Sequence, residues 1–102
     1  MERLEVTTPD GLTLAAYVGG KTDCPEILFI HGFNQCYLSW QKQTSDPALA
    51  DAFHMVAFDL RGHGSSGKHA GREQYSPGKL WGDDVAAVIK ATGLKRPVLV
   101  GW

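Results

Sequence analysis

Two short polar stretches each follow an apolar run, and their residue types suit chemistry at a carbonyl group. His31-Gly32-Phe33-Asn34 comes directly after Ile27-Leu28-Phe29-Ile30. A glycine at this point lets the backbone turn sharply and leaves amide N–H groups unpaired. Such groups can hold a developing oxyanion, because they present fixed dipoles with no charge to desolvate. The plainer alternative is that His-Gly simply ends a strand. Asp59-Leu60-Arg61-Gly62-His63-Gly64-Ser65-Ser66 follows Met55-Val56-Ala57-Phe58. Asp59 and Arg61 can pair, and Gly62 and Gly64 allow a tight reversal, which together describe a rigid structural loop. His63 has the chemistry of a general base, but the sequence offers it no acidic partner.

Other motifs are weaker. Gly62-His63-Gly64-Ser65-Ser66-Gly67 matches G-x-G-x-x-G and follows an apolar run. A dinucleotide fingerprint also needs a helix to open within the motif, so that its N-terminus faces the pyrophosphate. Lys68-His69-Ala70-Gly71-Arg72 has no apolar period and does not supply one. No phosphate-binding G-x-x-x-x-G-K-[ST] run and no H-E-x-x-H occurs, so neither a nucleotide cofactor nor a metal is expected. Cys24 and Cys36 form no C-x-x-C pair and are expected to be reduced.

The elements that position these stretches follow from periodicity. Glu2 to Thr7 and Leu12 to Val18 read as two strands joined by Pro9-Asp10-Gly11, which is turn chemistry. Gly19, Gly20 and Lys21-Thr22-Asp23 read as a loop. Ile27 to Ile30, Met55 to Phe58 and Val98 to Val100 are apolar without alternation, the mark of strands covered on both faces. Leu38 to Ala52 reads as a poorly periodic helix that Pro47 either breaks or restarts. A second helix opens with Ser76 as cap and Pro77 at its first position. Trp81, Val85, Val88, Ile89 and Thr92 form its apolar face, and Gly93 stops it. Gly62 to Gly78 reads as an ordered surface loop. The fold class is α/β: a hairpin, then β-α-β-α-β with right-handed crossovers.

Bulk properties exclude several function classes. Of the 102 residues, 43% are hydrophobic and 21% charged, which describes a globular chain and not a disordered tail. A net charge of -1 gives no electrostatic case for nucleic acid or an anionic membrane surface. No apolar run has the length of a membrane span. Met1-Glu2-Arg3-Leu4-Glu5 lacks the layout of a signal peptide, so a cytoplasmic location is the expectation.

Taken in order, the His-Gly stretch, the Asp-x-Arg-Gly-His-Gly stretch, a Trp-x-Asp-Asp helix and Pro97-Val98-Leu99-Val100-Gly101-Trp102 resemble the α/β-hydrolase superfamily. Small esterases and non-haem haloperoxidase-like proteins are the most similar group. The resemblance runs from about Glu2 to Trp102. It implies the N-terminal half of that fold, with residues 1–102 as one partial domain. Gly101 and Trp102 would supply the first two positions of the nucleophile elbow G-x-S-x-G. The nucleophile, the acid and the histidine of a triad would then lie outside these residues. Ser39, Ser45, Ser65, Ser66 and Ser76 all lack the elbow.

The resemblance assigns the first oxyanion donor to the backbone N–H of Phe33. It makes Phe33, Asn34 and Trp102 pocket-lining residues. His31, Gly32, Asp59, Arg61, Gly62, His63, Gly64 and Gly101 become structural motif positions. The implied activity is acyl transfer from a small ester or related carbonyl compound to water, with no cofactor. These residues alone are expected to be inactive, and their exposed last strand prone to aggregation. Relatives that open epoxides or remove halides often carry Pro where Asn34 stands. They also tend to have His, not Trp, before an Asp nucleophile. Both departures favour a serine ester hydrolase. The alternatives are a non-catalytic binding remnant, one half of a split hydrolase completed by a C-terminal half, and a haloperoxidase- or epoxide-hydrolase-like parent.

Overall fold

The computed structural model describes residues 1–102. Strands β1 (Glu2–Thr7) and β2 (Thr13–Gly20) form the expected antiparallel hairpin, with Val6 opposite Leu14 and Glu5 opposite Ala15. Its turn is closed by the Thr8 N–H donating to the Leu12 carbonyl at 2.8 Å, while the Leu12 N–H donates to Thr8 Oγ1 at 2.9 Å. Strands β3 (Glu26–Ile30), β4 (His54–Phe58) and β5 (Val98–Gly101) run parallel. The sheet order is β1-β2-β4-β3-β5. The hairpin therefore joins the parallel strands through an antiparallel β2–β4 pair, not through the next strand in sequence.

Helices cover both faces of the sheet, and this is why β3 and β4 are apolar throughout. Leu28, Val56 and Phe58 point to one face, where they join Leu14, Val88 and Leu94 beneath α3 (Gly78–Thr92). Phe29, Met55 and Ala57 point to the other, against Trp40, Leu49 and Phe53. That second cover is short and irregular: a 3-10 turn over Tyr37–Trp40, then α1 (Gln41–Thr44) and α2 (Pro47–Ala52). Asp46 caps α2, accepting from the Ala48 N–H at 2.8 Å, and Pro47 takes the first helical position. Pro47 thus opens a second helix, because proline lacks the N–H that a first turn leaves unpaired anyway.

Three expectations are corrected. Gly19 and Gly20 are not loop but the end of β2, paired opposite Met55 and His54. The β4 backbone supplies hydrogen bonds that outweigh glycine's weak strand preference. Ser76 does not cap α3. Its hydroxyl donates back to the Arg72 carbonyl at 3.1 Å, Pro77 is the N-cap residue, and Gly78 begins the helix. The inner face of α3 is not wholly apolar: Asp84 is fully buried with Val88, while Trp81, Val85, Ile89 and Thr92 are half-buried and the Thr92 hydroxyl bonds the Val88 carbonyl. Burying Val88 contributes about 2 kcal/mol. Gly93 ends α3 as expected, in the left-handed conformation at φ 74.

Candidate active site at the carboxyl ends of β3 and β4

Two loops leave the sheet at the carboxyl ends of adjacent parallel strands, residues 31–36 after β3 and residues 59–67 after β4. This end of an open α/β sheet is where sites form, because neighbouring loops diverge and leave a crevice. A cleft of about 450 Å³ lies there, lined by Phe33, Asn34, Arg61, Gly62, His63, Tyr75 and Trp81.

Arg61 is wholly buried, and each of its five N–H donors is used. Nε and Nη2 form a bidentate pair with Asp84, at 2.6 and 2.7 Å. Nη1 and Nη2 reach the two oxygens of Asp10 at 3.0 Å each, and Nη1 also donates to the Gln74 carbonyl at 2.7 Å. One side chain thus joins the hairpin turn, the loop after β4, the short turn at Arg72–Gln74 and α3. The bonds from Arg61 and then from Thr8 lower the Asp10 carboxyl to a pKa of about 2. The same carboxylates raise the guanidinium further, with the Asp84 hydrogen bonds as the largest cause.

Asp59 and Arg61 do not pair, contrary to expectation. Asp59 is buried and accepts instead from the Tyr37 N–H at 2.8 Å, the Ser65 N–H at 2.9 Å and the Tyr17 hydroxyl at 3.1 Å. The chain leaves β4 at Phe58 and turns at Arg61 and Gly62, so the i, i+2 alignment of a strand is lost and 59 and 61 face different partners. Tyr17 stacks on Tyr37 with centroids 3.5 Å apart, and burial, then the Asp59 charge, raises its phenol pKa. Gly64 sits at φ 50 against this carboxylate, and a Cβ there would run into it.

The two histidines of the motifs are fixed by hydrogen bonds at both ring nitrogens. His31 Nε2 accepts the Leu60 N–H at 3.0 Å, so its proton resides on Nδ1, which donates to the Gly32 carbonyl at 2.7 Å. His63 Nε2 accepts the Asn34 N–H at 3.0 Å, and Nδ1 donates to the Arg61 carbonyl at 2.9 Å. Both rings are therefore neutral Nδ1–H tautomers. Burial lowers the His31 pKa, partly offset by its bond to the Gly32 carbonyl. His63 has its lone pair occupied and pairs with no carboxylate, which leaves it no free site for general-base work.

Phe33 stands between these fixed points. Its N–H makes no hydrogen bond within the chain, and its side chain is 87% exposed. Asn34 follows it at φ 65, a left-handed conformation that asparagine tolerates better than most residues. Trp102 lies next to Gly32, where its N–H donates to the Ile30 carbonyl at 3.1 Å and its indole leaves no room for a Cβ on residue 32. Phe33 and Asn34 thus share one cleft, while Trp102 faces a neighbouring one with Gln35, Ser39, Trp40 and Gln43.

Asp10, Asp84, Tyr17, Tyr37 and Ser66 complete the architecture and were not singled out from sequence. Only Asp84 left a readable signal: an acid at i−4 from Val88, on the apolar face of a helix, implies a buried cationic partner. Ser66 ties the loop to β2, accepting from the Ala15 N–H at 2.9 Å and donating to the Asp59 carbonyl.

The chain belongs to the alpha/beta hydrolase fold family, whose model matches residues 25–102. It is 36% identical over 101 residues to epoxide hydrolase A of Mycobacterium tuberculosis, a match that covers 98% of this chain and 30% of that protein. It is similar to the crystal structure of a putative aryl esterase from Burkholderia cenocepacia, with a TM-score of 0.94 and 44% identity. That match covers 99% of this chain and 37% of the other. A structure described under novel epoxide hydrolases from hot-environment metagenomes matches with a TM-score of 0.86 and 32% identity, over 99% of this chain and 33% of its own. The chain therefore spans about a third of the length of these relatives.

Proposed function

We propose that these residues form the oxyanion-side portion of a serine ester hydrolase, which transfers an acyl group from a small ester to water. The observation that carries this reading is the unbonded Phe33 N–H, held at the mouth of the cleft between two fixed histidines. As a serine attacks the ester carbonyl, negative charge develops on its oxygen. A preoriented N–H stabilises that charge without reorganising at the moment of reaction. Phe33 and Asn34 border the crevice in which the acyl group would lie, and Trp102 borders the cleft beside it. Among residues 1–102 no serine sits in a nucleophile elbow, so these residues supply scaffold and one oxyanion donor, and the bond-making side chains must come from elsewhere: a longer protein or a complementing C-terminal half. A cytoplasmic setting and a small-molecule substrate fit this reading. Resemblance to a putative aryl esterase supports the ester substrate.

A second reading, an epoxide-opening parent, is favoured by the likeness to epoxide hydrolase A. A chimera separates the two. Residues 1–102 replace the matching segment of the Burkholderia cenocepacia protein, and the product is assayed with an activated aryl ester and with an aryl epoxide. Ester turnover is expected. Phe33→Pro, which removes the N–H, should lower kcat by about 10²–10³, while Phe33→Ala, which keeps it, should not. Equal loss in both variants, or epoxide turnover alone, would overturn the ester reading. The unmodified chain should show no ester turnover above a protein-matched control.

A further inference from the structure

The two motif histidines make a reciprocal brace. His31 leaves β3 and accepts an N–H from the loop after β4. His63 belongs to the loop after β4 and accepts an N–H from the loop after β3. Their rings lie 5.2 Å apart, tilted by 56°. Each ring is oriented from behind by a carbonyl on its own loop, Gly32 or Arg61. The Arg61 carbonyl is itself well placed to act as an anchor, since the Arg61 side chain is saturated by Asp10, Asp84 and Gln74.

We propose that His63 is the positioning residue for the Phe33 amide: as a neutral acceptor it holds the Asn34 N–H and with it the left-handed turn that aims Phe33 into the cleft. The proposal rests on the oxyanion reading of Phe33. Asn34 is the chain's one non-glycine residue at positive φ, a conformation that persists only where surrounding contacts hold it. The His63 bond, at 3.0 Å, is the shorter of the two contacts that do so, the other being the Gln35 N–H to the Gly32 carbonyl at 3.3 Å. An imidazolium carries hydrogen on both nitrogens and cannot accept. Protonating His63 therefore replaces an attraction with two opposed N–H groups and releases the turn.

The groups around the His63 ring leave this switch intact. From β3 come His31 and Phe33, the latter at 5.9 Å edge-on. From α3 comes Trp81 at 6.5 Å, with Asp84 committed to Arg61. Tyr75 lines the same cleft, and Asp59, at the end of β4, is occupied by Tyr17, Tyr37 and Ser65. No carboxylate forms an ion pair with the His63 ring.

Amide hydrogen exchange and imidazole nitrogen spectra of the unmodified chain test this. At neutral pH, His63 should appear as the Nδ1–H tautomer, and the Asn34 amide should be protected. On acidification, Asn34 protection and the Phe33 amide resonance should change with the same midpoint as the His63 ring. His63→Ala should speed Asn34 exchange by about tenfold while leaving the Leu60 amide alone, and His63→Gln, whose side-chain oxygen can accept, should restore most of the protection. An Nε2–H tautomer, or Asn34 exchange that ignores both His63→Ala and pH, would overturn the proposal. If His63→Ala does not fold, the tautomer and the shared midpoint still decide. Loss of ester turnover in the chimera would end the oxyanion reading, whereas Asn34 exchange answers for the brace separately.

Discussion

Residues 31–36 and residues 59–67 leave the sheet side by side, yet they use their polar groups differently. In the loop after β4, Asp59, Arg61 and Ser66 are buried and have their hydrogen bonds made inside the chain. In the loop after β3, only His31 is buried. Phe33 and Asn34 are exposed, and the Phe33 amide is among those that stay unpaired. Side chains whose bonds are all made inside the chain hold position, whereas an exposed loop with a free amide can bind. The contrast explains how a motif rich in Asp, Arg, His and Ser serves as scaffold even where it lines the cleft, and how the free amide there comes from Phe33.

Substitutions should divide along that line. The largest loss is expected from Arg61→Ala or Asp84→Ala, each of which leaves a buried charge without its partner and costs roughly 3–5 kcal/mol. Urea unfolding measures it, and a cost below about 1 kcal/mol would show that the loop is not held by this pair. Arg61→Lys should also destabilise, since an ammonium cannot span two carboxylates and a carbonyl. Gly64→Ala comes next, at about 2 kcal/mol, for the left-handed backbone and the approach of Asp59.

Acid should act in two windows. The folded chain disfavours protonated His31, so the unfolded state takes up that proton first, and stability begins to fall below the ordinary histidine value of 6.5. Asp10 is held ionised by Arg61, so a further loss follows as pH drops from 3.8 towards about 2. Urea midpoints measured against pH should show both steps, with Asp10→Asn removing the lower one. The smallest effect belongs to the exposed loop: Phe33→Ala should change stability by less than about 0.5 kcal/mol, because its side chain is already in water. A larger change would mean that the two loops are not so different.

Elements with strong local signals were legible from sequence. The hairpin, the apolar β3 and β4, α3 and its glycine stop all follow from periodicity and turn chemistry that act within a few residues. Pro47 marked a helix start, though not whether it broke one. What escaped was partnership. Asp59 and Arg61 stand two apart and suggested a pair, but the chain turns after Phe58 and takes them to different partners. Gly19 and Gly20 suggested a loop because their partner, β4, lies far along the chain. The last strand, expected to be exposed, does lie at the sheet edge with Val98 63% and Leu99 52% exposed.

The sequence by itself determined the class of fold, the order of its elements and the two loops where chemistry would gather. Local stereochemistry and hydrophobic spacing are written in consecutive residues. Only the tertiary structure decided that Arg61 binds Asp10 and Asp84, that His31 and His63 exchange backbone N–H groups between loops, and that the Phe33 amide is left unpaired. Those outcomes depend on groups 23 to 51 positions apart meeting at hydrogen-bond distance. Which buried polar group finds which partner is settled by the packing of the sheet, not by spacing along the chain.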